Sequence, residues 1–325
     1  MRKIERLVGV GFDRIGLSQS DFLEWARTTD FSNTVFIGNP PFVANPRGAR
    51  WRNLYADFVE AMLSYHGVKG LSLILPLSVC FSRDYSELRA TIKLAGMGVS
   101  ASSYDNIPDC LFKAGKPDST NSNRANSQRC TILNLGGPNS ELREATALLS
   151  WVGADRGNML SKIPAFCAFD DNDSSGQLPR PASEMLINYL RGTSGARPLG
   201  SFLSRIGKPA FAVGGVARNY IGVRDYEASA LGCIPIKVHS NDEHGFVLRI
   251  LSSNLFYEYW RTYGDGFHVT VDLIQRFPVT VALAQHCEDN SKLAYEIWLN
   301  RHAYAKEKLN SGRIIRSYDF RAAFE

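Results

Sequence analysis

Between Thr34 and Phe42 the chain reads TVFIGNPPF, an apolar strand that runs straight into two prolines. Each proline removes a backbone donor and fixes φ, so the strand must stop there and the next residues follow one extended path. Beyond it, LYADFVEAMLSYHG carries Leu54, Phe58, Met62 and Tyr65 on one helical stripe, with Gly67 or Gly70 to end it. GLSLILP, from Gly70 to Pro76, reads as a second buried strand. Strand, helix and strand with short links form a βαβ unit, which predicts two parallel strands and a right-handed crossover.

A second helix is predicted over YSELRATIKLAG, from Tyr85 to Gly96, followed by strand-like GVSASSYD, CLFKAG and CTILNLGG. The polar run KPDSTNSNRANSQR between the last two reads as a solvent-exposed hairpin connection. From about Arg180 the texture changes to short strand-like pieces, AFAVGG, NYIGV and CIPIKV. One apolar helix, GFVLRILSSNLFYEYWRTYG, and an amphipathic C-terminal helix, KLAYEIWLNRHAYAKEKLN, complete the chain. This change predicts two domains, 1–160 and 161–325, with the boundary between residues 150 and 180.

With 325 residues, 44% hydrophobic and 21% charged, the chain is long enough for a full globular core. Lysine and arginine exceed the acids by 37 to 32, and this net charge of +5 permits a polyanionic partner without requiring one. There is no apolar run of membrane-spanning length and no secretory leader pattern, so a cytoplasmic protein without a membrane partner is expected. Six scattered cysteines form no Cys-x-x-Cys pair, and His66, His239 and His268 are isolated, so reduced thiols and no metal site are expected.

The residues at the strand end suit an exocyclic amine. Asn39 offers a side-chain carbonyl and Pro40 a main-chain carbonyl, and the rigidity of Pro40 and Pro41 aims both acceptors at one small target. Holding both N–H bonds of an NH₂ group lets a conjugated nitrogen pyramidalise and expose its lone pair, while Phe42 supplies a π-face for the attached ring.

GNPPF resembles the catalytic motif of amino-methyltransferases that move a methyl group from S-adenosyl-L-methionine to an exocyclic nitrogen. SQSDFLEW is similar to the family's acidic motif, which implies that Asp21 takes the cofactor's adenine amino group and that Phe22 belongs to the cofactor site. NLYADFVEAML resembles the helix after the catalytic loop, where Phe58 matches the aromatic that packs on the cofactor's adenine. LILPLSVCFSRDYSELRATI resembles the next strand and helix, and IPDCLF the segment whose Phe112 gives a second wall for the target base. SSNLFYEYWRTYGDGFHVTVDLIQRFPV resembles a segment of target-recognition domains. The pattern is most similar to the adenine-N6 DNA methyltransferases of bacterial restriction-modification and phage-defence systems. It implies an α/β fold, a partial Rossmann-like methyltransferase sheet followed by a mixed α/β target-recognition domain. It also implies site-specific methylation of an adenine flipped out of double-stranded DNA. Arg47, Arg50 and Arg52 follow the motif directly and are candidate phosphate contacts, as are some of Arg191, Arg197, Arg205, Lys208, Arg218 and Arg224.

The family's order places a glycine-rich cofactor motif and an acidic ribose-binding residue ahead of the Asp21 segment. GVGFDRIG, Gly9 to Gly16, lies too close to Asp21 to leave room for the intervening helix and strand, and FAVGGVAR at Phe211 has no helix behind it. In this fold the strand so displaced lies beside TVFIG. The expectations are a second protein chain that completes the sheet and supplies the glycine-rich motif, or a truncated remnant. The alternative function is a catalytically inactive DNA-binding or assembly subunit. Methylation of protein glutamine amides or of RNA bases, which uses the same tetrapeptide, is a further alternative.

Overall fold

The structure is a computed structural model. It describes residues 19–65, 67–111, 114–115, 125–126, 128–136, 140–152, 154, 158, 161, 163, 166–169, 176–181, 183–226, 232–310 and 312–324. The Gly9–Gly16 segment, His66 and Phe112 lie outside these residues.

The first half is built on a mixed sheet of β1 (Val35–Gly38), β2 (Gly70–Pro76), β3 (Val99–Tyr104), β4 (Cys130–Gly136), β5 (Arg143–Leu149) and β6 (Cys167–Ala168). The spatial order is β1-β2-β4-β3-β5-β6. β1 and β2 are parallel with Val35 opposite Gly70, and between them runs helix α2 (Leu54–Leu63), as the βαβ pattern requires. β4 is antiparallel to both β2 and β3, so β1, β2, β3 and β5 all point the same way. Their carboxyl ends share one edge of the sheet, the edge at which open α/β sheets bind ligands. Helix α1 (Phe22–Ala26) precedes β1, and α3 (Ser86–Leu94) follows β2.

The face that α2 buries differs from the expected stripe. Tyr55, Ala56, Val59 and Met62 enter the core, whereas Phe58 is only half-buried and faces α1. Among the described residues of the CLFKAG segment, Ala114–Gly115 is extended and pairs antiparallel with Ala125–Asn126, whereas Cys110 and Leu111 are buried without joining a strand.

The second half packs α4 (Glu184–Arg191), α5 (Asn241–Leu251), α6 (Asn254–Tyr263), α7 (Val271–Arg276), α8 (Val281–Asp289) and α9 (Ser291–Leu299) with a sheet. Its strands are β7 (Phe211–Gly214), β8 (Val223–Arg224), β9 (Cys233–Ile236), β10 (Ala305–Asn310) and β11 (Arg313–Tyr318), in the order β9-β7-β8-β11-β10. α4 to α8 start on Ser183, Ser240, Ser253, Thr270 and Thr280, each of which accepts the backbone N–H three residues on. The expected single helix over 245–264 is therefore two, because Ser253 takes the Phe256 N–H and starts a new one. The expected C-terminal helix stops at Leu299, and Ala305–Asn310 pairs instead as a strand with Arg313–Tyr318. Gly245 brings α5 against α9: a Cβ there would meet the Ser291 carbonyl oxygen at 1.9 Å.

Among the described residues the buried side chains form two large clusters, one from Ala26 to Leu148 with Leu178 and the other from Leu186 to Phe320, and a small one of Tyr104, Leu111 and Cys130. The segment 176–181 stitches the two large ones together. Leu178 N–H donates to Cys80 O, and Gly176 O accepts from the buried Arg89. Arg180, only 1% exposed, donates to Gly264 O and to Thr262 O, and burial pulls its guanidinium pKa down. No helix among the described residues is long and apolar enough to cross a membrane, and the six cysteines are free thiols.

Candidate functional site

The turn that follows β1 carries Asn39, Pro40 and Pro41 to the carboxyl edge of the sheet. There they line a cleft of about 650 Å³ together with Phe22, Trp25, Phe31, Phe58 and Met62. Asn39 is exposed and Pro40 is buried, so the amide projects from a fixed base. Its size lies in the range typical of small-molecule sites, and no charged side chain lines it among the described residues.

Phe22 and Phe58 meet across this cleft, stacked with ring centroids 4.8 Å apart. Asp21 lies just outside as the N-cap of α1, and its Oδ1 accepts from Leu23 N–H at 2.8 Å and Glu24 N–H at 3.2 Å. Capping of this kind fixes the short helix that presents Phe22 and Trp25. Trp25 packs edge-on against Phe31, which packs on Phe36, so the aromatic wall continues into the core. Trp25 and Phe31 were not singled out in the sequence, and Met62 was named there only as part of a helical stripe. The three-residue spacing of Phe22 and Trp25 was the signal that could have found the first of them.

Phe42 sits on the other side of the motif. It is half-buried, edge-on to Tyr55 at 6.3 Å, and begins an aromatic ladder through Tyr55 and Tyr85 to Trp51. Burial raises the pKa of the Tyr55 hydroxyl, which hydrogen-bonds Ser78 and stays protonated. The Asn-Pro-Pro turn thus separates an apolar cleft from an aromatic shelf.

The loop between Phe42 and α2 is tied down. Asn45 Nδ2 donates to Asp57 Oδ2 at 2.6 Å and to Trp51 O at 3.0 Å, and Trp51 Nε1 donates to Glu60 Oε2 at 2.9 Å. Leu54 N–H returns to Val43 O. Arg47, Arg50 and Arg52 lie exposed on this loop. Arg50 pairs with Glu60 and Glu87 and Arg52 with Asp84, so a phosphate there competes with carboxylates already in place.

At the same edge, beyond the end of β3, buried Asp105 is held between two arginines. Its Oδ1 accepts from Arg129 Nε at 2.8 Å and its Oδ2 from Arg261 Nη1 at 3.2 Å. Arg261, on α6, also donates to Leu148 O near the end of β5. The second half is therefore docked against the carboxyl edge that carries Asn39. Gly266, with φ +75°, makes the close turn beneath this contact, since a Cβ would strike Leu148 Cδ2 at 2.4 Å. Arg129 and Arg218 both lie against the Phe267 ring of the same loop. His268 pairs with Asp265, and no cluster of metal-ligating side chains occurs among the described residues.

No family model matches the chain, and no curated protein matches it in sequence. Among solved structures the chain is similar to one in a cryo-EM structure of a DrdV–DNA complex, at 11% identity and a TM-score of 0.32. That similarity covers 56% of this chain and 22% of the other, so the chain spans about a fifth of the length of the structure it matches.

Proposed function

We propose that the chain carries the catalytic loop of an adenine-N6 DNA methyltransferase. The observation that carries this reading is the position of Asn39-Pro40-Pro41 at the carboxyl end of a parallel strand, on the rim of an aromatic cleft and beside the Phe42 shelf. In this reading the sheet is the catalytic half of a Rossmann-like methyltransferase, and the second half recognises the target in double-stranded DNA.

The cleft fits part of S-adenosyl-L-methionine. Phe22, Phe58 and Met62 offer apolar surface to an adenine, and Asp21 at the end of α1 keeps Oδ2 as an acceptor for its amino group. A ring held between Phe22 and Phe58 needs roughly 7 Å, twice the usual contact distance, so the pair must part to admit it. For the methionine carboxylate the described residues offer no cation and no glycine-rich turn in the cleft. Among the described residues β1 is an edge strand, with Val35 57% and Ile37 84% exposed. An apolar edge invites another strand, and a second chain pairing there would bring a glycine-rich cofactor turn next to Asn39.

When bound, the cofactor supplies an electrophilic methyl group on sulfonium sulfur. The amide oxygen of Asn39 and the carbonyl of Pro40 accept the two N6–H bonds of a flipped adenine, whose ring lies on Phe42. With both N–H bonds so held, the N6 lone pair would be left free to face the methyl group, and Asn39 and Pro40 would keep hold of the amine until its proton passes to solvent. Each acceptor tightens as positive charge grows on the nitrogen, so the turn favours the transition state over the bound base.

A second reading, a DNA-binding or assembly subunit without catalysis, draws on the same closed Phe22–Phe58 pair and uncharged cleft. Methyl transfer to adenine-containing duplexes, with and without a candidate partner chain, separates the two. Tight stoichiometric binding of S-adenosyl-L-methionine by this chain alone would remove the need for a partner.

A further inference from the structure

The C-terminal strands β10 and β11 form a two-stranded ribbon that extends past its own sheet. Its register runs from Ala305 opposite Tyr318 to Asn310 opposite Arg313, and β8 joins it at Tyr318. At the usual strand rise six residues extend about 20 Å. Lys306, Glu307, Lys308 and Leu309 on one strand, with Ile314 and Arg316 on the other, are all exposed. One face presents Lys306 and Lys308. On the other face Leu309 sits directly opposite Ile314, 70% and 69% exposed, behind a Glu307–Arg316 ion pair at 2.6 Å.

Lysines on an edge strand discourage unwanted strand pairing. That role accounts for Lys306 and Lys308, but not for an apolar pair held in water at the far end of the ribbon. Residues 301–325 carry six arginines and lysines against three acids, a large part of the chain's net charge of +5. The root of the ribbon also leads to the carboxyl edge of the first sheet. Ser317 hydrogen-bonds Tyr220, and Arg321 lies over Tyr220 and donates to Asn219 O. Next to them Arg218 stacks on Phe267, which also neighbours Arg129 beside Asp105.

Resting on the DNA reading above, we propose that the ribbon of β10 and β11 enters the major groove of duplex DNA. That groove admits a two-stranded β-ribbon. Leu309 and Ile314 meet base edges such as thymine methyl groups, Arg316 is held by Glu307 as a donor to guanine, and Lys306 and Lys308 reach the flanking phosphates.

Fluorescence anisotropy of the full chain with a labelled random-sequence duplex of about 30 bp tests this, read between about 50 and 200 mM salt. Lys306→Gln with Lys308→Gln should weaken binding at least about fivefold and reduce the slope of log affinity against log salt by about 1.8, two phosphate contacts. Leu309→Ser with Ile314→Ser should weaken binding and leave that slope unchanged. Methyl green, which occupies the major groove, should compete, and netropsin, which occupies the minor groove, should not. All four side chains are exposed, so unchanged circular dichroism is expected for both variants. If the unaltered chain binds the duplex and both variants bind equally well, the ribbon proposal alone is wrong. If the unaltered chain binds no duplex, the DNA reading falls and the ribbon proposal with it. Competition by netropsin alone overturns the groove assignment. Loss of self-association in the apolar variant with DNA affinity intact would mean that the ribbon docks a protein, which also overturns it.

Discussion

Phe22 and Phe58 lie nearly parallel, planes 16° apart and centroids 4.8 Å apart, and so close the cleft that Asn39 borders. The pair joins α1 to α2, two helices that no other aromatic stack connects among the described residues. Phe58→Ala removes half-buried apolar surface and the stack together, and should cost about 2 kcal/mol in urea unfolding. A loss below about 0.5 kcal/mol would mean that the rings do not meet in solution.

Asn45→Ala cuts the loop that carries Arg47, Arg50 and Arg52 away from α2. One of its two bonds goes to the Asp57 carboxylate, so the cost should be about 2 kcal/mol. Amide exchange that speeds up in residues 43–53 more than in α2 is the accompanying sign; exchange unchanged in that loop would contradict the anchoring role.

How much of this was legible in the sequence depends on whether the signal was local. β1, β2 and α2 follow from proline, glycine and apolar spacing, and the two strands pair in parallel as expected. The face of α2 did not, because Phe58 belongs to a stripe that looks like core until α1 is seen to lie on it. Leu309 and Lys308 fit a helix by propensity, yet pairing with β11 makes them strand, a tertiary contact that spacing does not encode. Asp105 carried no motif at all; its role arises from Arg129 and Arg261, the latter 156 residues away.

Asp105→Asn tests the docking of the two halves. Removing one carboxylate leaves two largely buried guanidinium groups without their charge partner, which should cost about 3 kcal/mol. Limited proteolysis should then cut between residues 150 and 180 faster than in the unaltered chain. Equal stability and equal cleavage would show that Asp105 does not hold the halves together.

Stability should also depend on pH through His244. The ring is packed among Phe211, Tyr295 and Trp298, and its buried Nε2 has no hydrogen-bond partner among the described residues. Burial, with Arg301 nearby, lowers its pKa to about 4 from the ordinary 6.5. Between those values the unfolded chain binds a proton that the folded chain refuses, so stability is full above pH 6.5 and falls as pH drops toward 4. The full swing is about 3 kcal/mol. Urea midpoints at pH 7.5 and 5 should differ in the natural chain, and His244→Leu should reduce that difference; an equal difference in both would assign the pH dependence elsewhere.

The central claim is methyl transfer at the Asn39 turn. Nucleoside mass spectrometry of duplex DNA incubated with isotopically labelled S-adenosyl-L-methionine and this chain, with and without a candidate partner chain, should detect labelled N6-methyladenine. Asn39→Ala should lower it at least about 100-fold, the scale of losing one transition-state hydrogen-bonding group, with folding unchanged. Labelled N6-methyladenine formed equally by the Asn39→Ala chain, or none formed by the complete mixture, would contradict the account.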